Sequence, residues 1–529
     1  MMVKAKSKWV VLGSAAAVAV AAIGCKVGPN YQAPQMHPPA KFGAASTQPS
    51  ATQPTTQPVE AVDLRLWWES FHDPVLNGLI AEGVRSNLDV QLAQARVLEA
   101  RANLQGNVAT LFPTVDSSVS YTRSQSSKNA FGSFGGTGTP NGSTGTGTGT
   151  GSGGTSTGTG ATGSSFALPG TRTNFYQAGF DAGWEVDIFG GTRRAIEAAQ
   201  ASLEAQVDAR RFAMITFLSE VARNYMIVRG MQQELLIVQS NVASQNDFLD
   251  LTKAKFQAGI ATDLDVARQE AQVASTESTI PTIQTQIQQA IHRLGVLLGR
   301  NPTDLEAELA PVGPLPGGPP VIPPGLPSDL LRRRPDVQQA ERQLAAATAN
   351  IGVATADLFP KLNLTGSFGW ESLQLKSWFN ASSQIWSFGP ALSWRIFDAG
   401  QIWANIHVQN ARQQEALIQY RQTVLQALSD VEDSLVAYQQ EQGRREALQR
   451  SVEANERSVS LAKQLNQAGL VDFLNVLTAE QNLFLSQDQL SQSNQLVSTD
   501  LVAVYKALGG GWEVTEQPNP NQAVSTARQ

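Results

Sequence analysis

From Tyr176 to Ile188 the chain alternates without a break. Tyr176, Ala178, Phe180, Ala182, Trp184, Val186 and Ile188 hold the even positions, and Gln177, Gly179, Asp181, Gly183, Glu185 and Asp187 the odd ones. Successive side chains of a strand point to opposite faces, so this stretch is a strand with one apolar and one polar side. At about 3.3 Å per residue it is long enough to cross a bilayer when tilted. The same parity returns 210 residues later, with Trp386, Phe388, Leu392, Trp394 and Ile396 against Ser387, Gly389, Ser393 and Arg395. Shorter alternations at Val115, Val119 and Tyr121, and at Leu362, Leu364, Phe368 and Trp370, complete a set of four. The predicted strands span about 114–124, 175–189, 361–371 and 385–397.

Four such strands constrain the fold severely. In a soluble sandwich the apolar face would meet a second sheet, and nothing else in the chain supplies one. A barrel with lipid outside and water inside explains both faces. Tyr176, Phe180, Trp184, Val186, Phe388, Trp394 and Ile396 are then the lipid-facing residues, and Asp181, Glu185, Asp187 and Arg395 face water. Transmembrane barrels need about eight strands or more. Four leave two open edges, which lipid does not tolerate, so other copies of the chain must complete the wall.

The strands belong to an internal duplication. Leu111-Phe112-Pro113 answers to Leu358-Phe359-Pro360 at an offset of 247, while Trp184, Gly259 and Leu298-Gly299 answer to Trp394, Gly469 and Leu508-Gly509 at 210. The difference is an insertion in the first copy: the run 132–165, almost wholly Gly, Ser and Thr, which reads as a flexible extracellular loop. Between strands, helical patterns run from Gly191 to about Gln257 and from Gly400 to about Gln467, each about 100 Å long at 1.5 Å per residue. The patterns from Asp73 to Thr110, Leu264 to Leu298, Ser328 to Asp357 and Leu474 to Leu508 are about half that. Equal staves result if the piece ending at Leu298 stacks on the one starting at Ser328, and the C-terminal piece on the first. Pro281 should kink its helix. Residues 301–327 are rich in Pro and Gly and read as a linker without helical period.

Composition narrows the function. Charged residues make up 16% and the net charge is −6, so no basic face exists for nucleic acid. Four scattered histidines and one cysteine offer neither metal-ligand spacing nor an internal disulfide. Gly154-Thr155-Ser156-Thr157-Gly158 matches a nucleophile-elbow pattern but sits in low-complexity sequence without strand-turn-helix context. With no phosphate-binding loop and no acid, base or nucleophile constellation, the chain reads as a non-enzyme without cofactor, dependent on a partner for energy. The N-terminus is an export signal: Lys4, Lys6 and Lys8 precede an apolar stretch from Trp9 to Ile23, then Ala22-Ile23-Gly24-Cys25. This fits a bacterial lipobox, with Cys25 as the acylated residue and Lys26 the following residue of an outer-membrane lipoprotein. Arg332 to Arg334 read as a solvated basic face at a helix start.

Together these features resemble the outer-membrane efflux protein family, the TolC-like exit ducts of tripartite pumps, in its lipoprotein (NodT-type) branch. The resemblance is carried by Cys25-Lys26-Val27-Gly28-Pro29-Asn30-Tyr31, by Trp67-Trp68 to Pro74, by Leu326-Pro327-Ser328-Asp329-Leu330-Leu331-Arg332-Arg333-Arg334-Pro335-Asp336-Val337, and by Ala356-Asp357-Leu358-Phe359-Pro360. It implies a mainly α homotrimer, with a long α-helical barrel, an equatorial belt and a shared twelve-stranded β-barrel, four strands per protomer. It implies residence in the bacterial outer membrane, a periplasmic adaptor and an RND-type inner-membrane transporter as partners, and passive export of small toxic molecules. Alternatives are the duct of a type I protein secretion system, which the Arg-Pro-Asp-Val run disfavours, and a lipid-anchored coiled-coil scaffold, which needs no bilayer-length strands. The expected organisation is a signal peptide 1–24, a lipidated extended segment 25–66, a first repeat 67–300, an equatorial linker 301–327, a second repeat 328–510 and a tail 511–529. Gly259 and Gly469 then form the periplasmic tip turns. The family places aspartates six and nine residues beyond the second of these glycines, where this chain has Asn475 and Thr478. The gate candidates are accordingly Asp263, Asp265 and Asp472, the nearest carboxylates, with Asn475.

Overall fold

The computed structural model describes residues 26–36, 39, 42–43, 63–125, 172–317, 329 and 332–515. The signal peptide, Cys25, the Gly-rich run 132–165 and residues 516–529 lie outside the described residues. The chain divides into two compact units. One, residues 108–192 with 357–399, holds the strands, and the other holds nearly all the helical residues.

The first unit is a four-stranded antiparallel sheet in the order β1 (Thr114–Gln125), β2 (Arg172–Val186), β3 (Lys361–Ser372) and β4 (Gln384–Ser393). β1 and β3 lie within a residue of expectation. β4 does not reach 397, and Trp394 and Ile396 fall beyond its end. The cause is across the sheet: Ser393 pairs with Lys361, so Trp394 would pair with Pro360, which has no N–H to give. β2 begins at Arg172, before the expected stretch, and stops at Val186, which faces Leu362; Ile188 would face Pro360. At the sheet's ends two indoles fix the Leu-Phe-Pro corners at related positions. Trp184 donates to the Leu111 carbonyl at 2.9 Å and Trp394 to the Leu358 carbonyl at 3.1 Å. Phe189 and Phe359 stack at 4.6 Å.

In the second unit the helices are α1 (Pro74–Ser86), α2 (Leu88–Ala109), α3 (Gly191–Gln257), α4 (Asp263–Glu277), α5 (Thr279–Leu297), the single turn α6 (Glu306–Leu309), α7 (Pro335–Ala356), α8 (Gln401–Gln467) and α9 (Phe473–Ala507). α3 and α8 are each 67 residues, the two long staves expected. The break at Ser278 is the proline's work. Pro281 has no N–H for the Glu277 carbonyl and its ring crowds it, whereas α9, with Ser491 at the related position, runs unbroken for 35 residues. The linker contains one helical turn, α6, that its sequence did not suggest.

The half-length helices do not stack as the sequence suggested. A helix ends with unsatisfied carbonyls, and the donors that satisfy them identify its neighbour. Asn87 interrupts the first outbound pattern in extended conformation. Its Nδ2 donates to the Leu297 carbonyl at 2.7 Å, its Oδ1 accepts from the Val90 amide, and Ser86 Oγ donates to the Leu298 carbonyl at 2.6 Å. In the second half, at the corresponding place, Arg334 Nη1 donates to the Ala507 carbonyl at 3.2 Å. Each returning helix therefore meets the outbound helix of its own half. Arg334 is only 6% exposed and also binds both carboxylate oxygens of Asp336 and one of Asp430. The basic cluster is thus an internal joint at this residue, not a solvated face, and Arg333 pairs with Glu513.

Around these joints lies the main core. Trp67 stacks on Tyr505 at 5.0 Å, among Leu76, Leu79, Leu218, Val221, Leu298, Val424 and Val504. Burial on the long staves is densest in their middle stretches, Met214–Val228 and Tyr420–Tyr438. Nearby, Glu234 on α3 hydrogen-bonds Asp488 on α9. Burial, then the Asp488 charge, push the Glu234 carboxyl up to about 7.

Two outcomes follow. Arg334→Met leaves Asp336 and Asp430 without their counter-charge in a buried joint and costs roughly 3 kcal/mol, read as a lower thermal midpoint. An unchanged midpoint refutes the joint. Glu234 binds its proton more tightly folded than unfolded, so its stabilising share is full below about pH 4.5 and fades as pH rises towards 7. Glu234→Gln should flatten the fall in thermal midpoint between pH 5 and 7.5, and a fall as steep as the wild type's contradicts the shared proton.

Candidate functional site

Residues directly opposite in an antiparallel pair share a face, so the register sorts every strand residue. Rows across the sheet read Tyr121, Tyr176; Ser117, Phe180, Phe368, Trp386; Val115, Ala182, Gly366, Phe388; Trp184, Leu364, Pro390; and Val186, Leu362, Leu392. The other face reads Asp116, Asp181, Ser367, Ser387 and, nearer the corners, Glu185, Asn363, Ala391. Ser367 and Ser387 share a hydrogen bond of 2.8 Å across that face. Tyr176, Phe180, Trp184, Val186 and Phe388 therefore lie on one apolar face, as the alternation predicts. Trp394 and Ile396 are exposed but belong to the corner after β4. Phe388, Trp386 and Leu392 on edge strand β4 and Val115 and Val119 on edge strand β1 are all largely exposed. Among the described residues no helix is long and apolar enough to cross a membrane.

The second candidate region is the pair of helix reversals. After α3, Gly259 adopts φ +75°, its amide bonds the Phe256 carbonyl, and the Ile260 amide bonds that of Lys255. After α8, Gly469 adopts φ +72°, with Gly469 bonding Asn466 and Leu470 bonding Leu465. Both are Schellman caps, which need a left-handed residue at this position. Ile260 and Leu470 follow the glycines and stand 77% and 72% exposed.

The gate candidates fall into two kinds. Asp265 caps its own helix: Thr262 donates to it through the backbone amide at 2.9 Å and through Oγ1 at 2.7 Å, and the two bonds hold its carboxyl below the usual range. Asp263, Asp472 and Asn475 lie exposed in the first turns of α4 and α9, with Asp472 at the N-cap. The sequence reading missed the ties between the two reversals. Lys255 Nζ donates to Asn466 Oδ1 at 3.0 Å and Gln481 donates to Gln272 at 2.8 Å, while within the second reversal Lys463 pairs with the buried Glu480 at 2.8 Å. No periodicity announces the two ties between the reversals, because their partners sit some 210 residues apart.

Comparison with known proteins identifies the family. The family described as outer membrane efflux protein matches over residues 79–300 and again over 326–510. The chain is 31% identical over 490 residues to nodulation protein T of Rhizobium leguminosarum bv. trifolii, covering 92% of this chain and 95% of that protein. It is also 31% identical to the pyoverdine export outer membrane protein OpmQ of Pseudomonas aeruginosa, over 87% of this chain and 90% of that one. The solved outer-membrane channel OprN superposes with a TM-score of 0.80 at 31% identity, over 92% of this chain and all of that one. With its strands, its staves and this likeness in view, the chain belongs to the outer membrane efflux protein family, and it serves as an outer-membrane duct for efflux.

Proposed function

We propose that the chain is an internally duplicated protomer, three of which close a twelve-stranded barrel and a helical tunnel forming the exit duct of a tripartite pump. The observation that carries this is the sheet itself: one face mostly apolar, the other mostly polar, and both edge strands without a further partner among the described residues. Lipid requires every strand edge to be paired. Three identical copies, each offering β1 to a neighbour's β4, meet that requirement with a closed ring. The duct conducts passively and needs no bound cofactor. A lipid on Cys25 adds an anchor.

Partners follow from the ends of the duct. The exposed Ile260 and Leu470 on the paired tips suit the helical hairpin of a periplasmic adaptor, which in turn joins an RND-type inner-membrane transporter. Relatives are named for cation efflux, pyoverdine export and antibiotic efflux. So varied a set fits a permissive duct lined by Gln, Ser and Asn, with cargo selected at the pump.

Purified in detergent, the protein should have the mass of three chains and retain β-structure on heating, whereas a monomer soluble without amphiphiles would end the proposal. A deletion strain should become drug-sensitive and recover with the wild-type gene. Cys25→Ala in the same strain measures how much the anchor matters. For the gate, Asp265→Ala and Asp472→Ala should each raise single-channel conductance in a planar bilayer by loosening the tip helices, Asp265 also losing its cap at about 1 kcal/mol. Unchanged conductance in both discards them, and attention then passes to Asp263 and Asn475.

A further inference from the structure

The run Val27-Gly28-Pro29-Asn30-Tyr31 has no part in the sheet, the staves or the tips, yet two helices of the helical unit hold it. Arg194, one turn into α3, is the centre. Its side chain is 1% exposed, and a buried guanidinium must find partners for its donors. Three of them come from this run: Nε donates to the Val27 carbonyl at 2.9 Å, and Nη2 to the Gly28 carbonyl at 3.1 Å and to Asn30 Oδ1 at 2.8 Å. The remaining bond goes to Glu197 at 2.9 Å, and Glu197 also pairs with Lys26.

Packing repeats the message. Gly28 adopts φ +86°, and a Cβ there would lie 2.5 Å from the Gly352 Cα on α7. A Cβ on Gly352 would in turn lie 2.8 Å from the Arg194 side chain. Gly28 thus lets the segment lie directly on the α7 backbone, and Gly352 makes room for the Arg194 side chain. Three residues on, Tyr31 hydrogen-bonds Glu341 at 3.1 Å and packs on the small residues Ala201, Ala345 and Ala346. The segment is therefore latched across α3 and α7, one helix from each half of the chain.

We propose that Arg194 is a positioning residue that locks the mature N-terminus, so that the acyl-bearing end leaves the protein from a fixed point and not from a loose tether. The lock stands on these contacts alone; its use as a lipid seat rests on the reading of Cys25 as the acylated residue. Lys26 is itself held by Glu197, within the first two turns of α3, so the lock begins at the residue that follows Cys25 in the sequence. The two halves of the protomer are also stapled together by this segment.

Trypsin tests the lock, since cleavage after Lys26 requires the Val27–Asn30 backbone to leave its seat. In the detergent-solubilised full chain the Lys26–Val27 bond should resist, with the N-terminal peptide followed by mass spectrometry. Arg194→Met and Gly28→Val should each be cut at least about tenfold faster, as expected for losing charge-assisted bonds or the left-handed turn. Gly28 lies outside the helices, so Gly28→Val unseats the segment without removing any helix side chain. Its cleavage at the wild-type rate overturns the proposal, whatever Arg194→Met does. The mass of the same peptide separates the two readings: an unacylated Cys25 beside a protected bond removes the lipid seat and leaves the lock.

Discussion

An unpaired strand edge cannot face hydrocarbon, and this constraint governs the protein. The sheet has an apolar side that water would not tolerate over such an area and two edge strands that lipid would not tolerate open. A single chain satisfies neither condition. The exposed Trp386, Phe388 and Val119 find a favourable environment in hydrocarbon and not in water.

The helical unit meets the opposite problem. Staves of 67 residues have too much length for one compact core to stabilise evenly, and burial is concentrated where the shorter helices are joined. The joints solve a local difficulty, helix-end carbonyls inside a packed region, by different means in each half. Asn87 uses an amide and Arg334 a guanidinium with two carboxylates. The two joints hold matching places in the helical unit and differ in chemistry.

Much of this was legible in the residues because it depends on local rules. Alternation located all four strands and sorted their faces, and Gly259 and Gly469 marked the reversals because only a residue at ease with positive φ suits a Schellman cap. What escaped depends on partners distant in sequence. The end of β4 was misjudged because Pro360, on another strand, withholds the N–H that Trp394 would need. The burial of Arg334 was misjudged because its partners Asp430 and Ala507 lie far along the chain. The pairing of the half-length helices was misjudged because length cannot identify which end supplies a donor. Asp265 was read as a gate candidate from its position, and its bonds to Thr262 emerged only with the turn's geometry.

The break at Ser278 gives the two arms different mechanics. One returning arm has a knee, where Pro281 removes a rung of the ladder, and the other is a single rigid rod. A force applied at both ends alike would bend the first and pivot the second. The two tips of one protomer are thus unequal levers, and any dilation of a ring built from them would alternate between compliant and stiff spokes.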